Sequence, residues 1–76
     1  MKKKMRDWDS LVKGILKAEL KRRDVSYQQL AALLATIDVA ETPENIANKI
    51  SRGKFSAVFL MQCMDVIGCQ TIRLGE

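Results

Sequence analysis

Histidine is absent from this 76-residue chain. That removes the commonest general base and the commonest metal ligand together. Cysteine occurs only as Cys63 and Cys69, a spacing that matches no usual zinc motif. With one possible bridge and no secretory signal, disulfide dependence is not expected, and both read as reduced, mostly buried thiols. No apolar run approaches the ~18 residues of a membrane span. Trp8 to Leu20 is broken by Asp9, Lys13, Lys17 and Glu19, so the basic start Met1–Arg6 is not followed by the apolar stretch of a signal peptide. No membrane partner is expected, and the default location is the cytoplasm. A nucleophile elbow, a phosphate-cradling glycine loop and paired metal ligands are all missing. These gaps argue against an enzyme and call for no cofactor and no metal.

What is present suits one small domain. Its length permits no more, and it lies near the lower limit at which a core supports itself. Hydrophobic residues make up 47% of the chain, enough for a core, though a partner subunit would help complete it. The net charge of +4 is unevenly spread. Residues 1–23 hold nine Lys/Arg against three Asp/Glu. Residues 24–48 hold no Lys/Arg and four acids, Asp24, Asp38, Glu41 and Glu44. Residues 49–76 are again basic, with four cations against two acids. Basic segments favour a polyanionic partner or simply a solvated surface.

The pattern predicts a basic flexible arm over residues 1–6 and a four-helix, all-α domain over 7–76. Trp8, Leu11, Val12, Ile15, Leu16 and Leu20 recur at helical spacing, with Asp7 as cap and Lys21-Arg22-Arg23 in the last turn. Gly14 is expected to let a neighbouring helix approach. Ser26-Tyr27-Gln28-Gln29 fits a capping box that opens a second helix. Thr36 to Glu41 reads as a connection in which Ile37 and Val39 tuck inward. Thr42-Pro43 restarts a helix that stops near Gly53. Ser56 begins a fourth, closed by Gly68. Trp8, the methionines and Phe59 read as core. The tail from Gln70 to Leu74 alternates and reads as a possible short strand, paired across a dimer.

Three runs carry a resemblance, the last of them Phe59-Leu60-x-x-Cys63-x-x-x-Ile67-Gly68, which is similar to the helix that follows the recognition helix in the family that the first two resemble. Ser26-Tyr27-Gln28-Gln29-Leu30-Ala31-Ala32-Leu33 resembles the second helix of the Cro/repressor-type helix-turn-helix family, with its S-x-x-x-L-A-x-x-L run. Ala47-Asn48-Lys49-Ile50-Ser51-Arg52-Gly53-Lys54 is similar to the end of that family's recognition helix. The chain also looks like a small bacterial family of uncharacterised domains that share the runs from Val12 to Leu20 and from Asn45 to Gly53. Ser51 stands where the repressor family usually has Glu, and the connection before the third helix is longer than usual there.

The resemblance implies a lambda-repressor-like fold and a transcriptional regulator that binds double-stranded DNA. Helix 43–52 would enter the major groove, with Glu44, Asn45, Asn48 and Lys49 facing bases. Tyr27, Gln28, Arg52 and Lys54 would meet phosphates, joined by Lys2, Lys3, Lys4 and Arg6 of the arm. Two half-sites favour a homodimer. The acidic middle opens an alternative: a protein-interaction or dimerisation module on the same scaffold, without base readout. It would dock a larger regulatory protein through an apolar patch at Met61, Met64 and Ile72.

Overall fold

In a computed structural model, which describes residues 7–74, four helices follow one another: α1 (Trp8–Arg22), α2 (Tyr27–Ala35), α3 (Pro43–Arg52) and α4 (Ala57–Ile67). Each begins with a side chain that accepts from the third backbone amide of the first turn. Asp7 accepts from Ser10, Ser26 from Gln29, Thr42 from Asn45 and Ser56 from Phe59. These bonds satisfy amides that no turn of helix precedes. Ser26 and Gln29 complete the reciprocal capping box, and Pro43 occupies the first turn of α3.

Three of the helices also stop in one way. Asp24, Asp38 and Gly68 take left-handed backbone angles after α1, α2 and α4. The amide of the next residue then reaches back to close the last turn: Val25 to Leu20, Val39 to Leu34, Cys69 to Met64. Each closing residue packs on or within the core. The turn therefore ends the helix and delivers one more apolar side chain inward.

Packing makes a four-cornered ring. α1 and α2 each rest on both α3 and α4, while the backbones of α1 and α2, and those of α3 and α4, stay apart. The centre holds Leu16 and Leu20 from α1, Leu30 and Leu34 from α2, Ile46 and Ile50 from α3, and Phe59, Cys63 and Met64 from α4. Burying each large side chain contributes about 1.5–3 kcal/mol before chain entropy is subtracted. The two buried residues of α3 are one turn apart, so the opposite face of that helix turns to solvent.

Several expectations need correction. Among the described residues no strand forms; Cys69 and Ile72 instead fold the tail back onto the core, and an isolated strand has no ladder partner within the chain. Trp8 is 63% exposed in the first turn of α1. Met61 is 52% exposed on the outer face of α4, and Ile37 is 40% exposed at the tip of its turn. Met64 is buried and Ile72 packs on the core, so the patch expected from them with Met61 does not form. A side-chain carbon added at Gly14 would meet nothing within 4 Å, so no helix approaches there. The expected arm, residues 1–6, lies outside the described residues. Among those described, no helix is long and apolar enough to cross a membrane.

Candidate nucleic-acid interface

The outward face of α3 follows from its period. With Ile46 and Ile50 inside, the helical repeat places Glu44, Asn45, Asn48, Ser51 and Arg52 outside, and all five are exposed. Asn48 lies one turn from both Glu44 and Arg52, so these three form a continuous strip. Asn45 and Ser51 flank it. Arg52 makes no ion pair among the described residues.

Lys49 stands apart from this strip. Its amine pairs with the Glu41 carboxylate and lies 4.5 Å from the centre of the Phe59 ring. Phe59 in turn meets Phe55 edge to face, with ring centres 5.5 Å apart. Glu41, whose side chain is only 10% exposed, belongs to the connection between α2 and α3. Lys49 thus ties that long connection to its own helix and to α4. This gives the extended connection a fixed seat, which length alone would not. Sequence reasoning put Lys49 among the base-facing residues because it counted position along α3 and could not see Glu41.

The far end of α3 is gripped by the start of α1. Gly53 ends the helix in the left-handed region, where a side-chain carbon would lie 2.5 Å from the Asp9 carbonyl oxygen. Lys13 donates to the Ser51 carbonyl at 3.0 Å, meeting the negative end of the helix dipole. Lys54 pairs with Asp9 at 2.8 Å, and that carboxylate holds the amine more firmly protonated than usual. Lys13, Arg52 and Lys54 are therefore gathered near one end of α3, with Asp9 among them. Lys13 was missed from sequence. Its partner lies 38 residues away, and no local pattern announces it.

The second helix contributes less than expected. Gln28 is exposed in its first turn, whereas Tyr27 is half-buried and packed on the core. Elsewhere Cys63 is fully buried, and burial pushes its thiol up to about 12. Cys69 is buried too, with its sulfur 3.2 Å from the Thr71 carbonyl oxygen. Cys63 has no exposed surface, whereas Cys69 forms part of the wall of an open groove between α1 and the tail.

A family model described as a domain of unknown function, DUF6471, matches residues 8–72. The chain belongs to the DUF6471 family. The match begins with the first residue of α1 and ends in the tail that covers the core, so it takes in all four helices. No curated protein and no solved structure matches the chain. For a DUF6471 domain, a functional reading therefore rests on the residues themselves.

Proposed function

We propose that this DUF6471 domain binds double-stranded DNA, with α3 in the major groove, and works as a dimeric transcriptional regulator in the cytoplasm, at the nucleoid. The outward strip of α3 carries the reading. Two asparagines and an arginine lie along a short helix held at both ends, by the Thr42 cap and Pro43 at one and by Gly53 against Asp9 at the other. Asparagine can pair with adenine through two hydrogen bonds, and arginine can meet a phosphate or guanine. Glu44 at the start of the strip accepts only from cytosine and repels phosphate. Lys13, near the end of α3, adds positive charge where the backbone would pass. The Cro/repressor resemblance of the three runs agrees with this use of α3. The function needs neither catalysis nor a cofactor.

One observation favours a second reading. Lys49 and Lys54 are already neutralised by acids of the same chain, which leaves the interface weakly charged. Exposed Trp8, Val58 and Met61 suit a protein partner instead.

Binding to random-sequence duplex DNA across a salt series tests the choice, with Arg52→Ala and Asn48→Ala beside the parent protein. DNA binding predicts affinity that falls steeply with salt. Arg52→Ala lowers the salt slope by about one phosphate contact. Asn48→Ala leaves that slope unchanged and, on a site selected from the random pool with the parent protein, weakens binding by about 1–3 kcal/mol. Absence of binding at low salt, or an Arg52→Ala slope equal to the parent's, would sink the DNA reading and leave the protein-interaction module.

A further inference from the structure

The apolar face of α1 is wider than the core uses. Leu16 and Leu20 enter the centre, and Ile15 packs at its edge. On the solvent side, Trp8, Leu11, Ile15, Ala18 and Arg22 recur at alternating steps of three and four. That spacing draws a straight seam along a helix, the kind that two paired helices bury between them. Beside it lies an open groove of about 840 Å³ between α1 and the tail, lined on the α1 side by Leu11, Gly14, Ile15 and Ala18 and, toward its end, by the charged Glu19, Arg22 and Arg23. Gly14 and Ala18 are exposed, and the space before Gly14 is empty to 4 Å. Trp8, at 63% exposure, extends the seam at its start.

Charge selects the occupant. The start of α1 carries Asp7 and Asp9, and its end carries Lys21, Arg22 and Arg23; Asp9 is shared with Lys54 and the two arginines with Glu19, which leaves Asp7 and Lys21 without an ion pair among the described residues. A parallel neighbour would oppose like charges. An antiparallel copy of the same helix brings acid to base at both ends and also opposes the helix dipoles. With a twofold axis between Gly14 and Ile15, Leu11 of each copy meets Ala18 of the other. Asp7 then faces Arg22, and the Trp8 ring faces Lys21, a cation suited to its surface. The small residues at the centre allow the two helices to approach closely.

We propose that the outer face of α1 and its groove form the homodimer interface of this protein, with two α1 helices crossing antiparallel about a twofold axis near Gly14. The proposal is independent of DNA binding, because its test contains no nucleic acid.

The full-length protein is followed by sedimentation equilibrium and by emission of Trp8, the single tryptophan. The parent chain is expected to dimerise, with Trp8 emission moving to the blue as concentration rises and dimerisation weakening in high salt. Ala18→Glu, at an exposed helical position, should keep the helical circular dichroism but weaken dimerisation by roughly tenfold or more. Gly14→Cys should form an intermolecular disulfide under mild oxidant, whereas Gln28→Cys, on a diagonal helix, should not. Cys63 is buried in the core, but Cys69 lines the same groove, so the cross-link is read in a Cys69→Ala background. A parent chain that stays monomeric into the millimolar range would overturn the proposal. So would a dimer indifferent to Ala18→Glu with unmoved Trp8 emission, or a Gly14→Cys chain that does not cross-link.

Discussion

Two glycines with nearly the same backbone angles have different neighbours. Gly53 and Gly68 both take positive φ, at 66° and 80°. At Gly68 a side-chain carbon would meet nothing within 4 Å, but at Gly53 it would strike the backbone of Asp9. Gly68→Ala therefore carries only the conformational cost of a left-handed alanine, about 1–2 kcal/mol. Gly53→Ala adds an overpacking penalty of about 1–3 kcal/mol, since the obstacle is main chain and cannot rotate away. Urea titration of the two variants should separate them by that margin. Equal midpoints would mean that the start of α1 yields freely and does not fix the end of α3. Asp24 and Asp38 take the same left-handed angles without being glycine, as a short polar side chain tolerates.

At the scale of the element, the connection between α2 and α3 decides how the candidate recognition helix is presented. Val39 and Glu41 hold it, one by packing on the core and one through Lys49. Glu41→Ala removes the acid and leaves a half-exposed ammonium above Phe59. The expected loss is about 1 kcal/mol, the upper end for a pair whose amine is still reached by solvent while its acid is largely covered. It should appear as a lower urea midpoint with an unchanged slope, because the surface exposed on unfolding stays the same. Glu41→Gln, which keeps a hydrogen-bond acceptor, should lose less. An unchanged midpoint in Glu41→Ala would show that Val39 and the turn after α2 seat the connection alone. The same helix carries the exposed strip, so a shift of the connection would re-aim Asn45 and Asn48 before it unfolded anything.

For the whole molecule, a core of ten buried apolar residues among those described leaves a narrow stability margin. Cys63 lies at its centre with no exposed surface, so its thiol can ionise only when the core opens. Its folded pKa is raised to about 12, above the ordinary value of 9.0. Below about pH 9 both folded and unfolded chains keep the proton, and the contribution to stability is fully present. As pH rises from about 9 towards 12 the unfolded chain loses its proton and the folded chain does not. Stability then falls, by up to about 1.4 kcal/mol per pH unit from this group. Denaturation at alkaline pH should show that decline in the parent chain and a shallower one in Cys63→Ala. Parallel profiles would place the alkaline loss on other groups.

The helix boundaries and caps were legible in the sequence because each depends on residues three or four apart. Asp7, Ser26, Thr42 and Ser56 each bond an amide within their own first turn, and Gly53 and Gly68 end the helices before them. The inner face of α3 was equally plain, since Ile46 and Ile50 set its period. Other features required the packed chain. Lys13 reaches Ser51, Asp9 reaches Lys54 and Glu41 reaches Lys49 only because the ring of helices brings distant segments together. Periodicity marked Trp8 as apolar but could not say whether another helix lay against it. Local hydrogen bonding determines where each helix starts and stops. Which side chains remain free to meet a partner is decided by long-range contacts, and those follow from how the four helices stack.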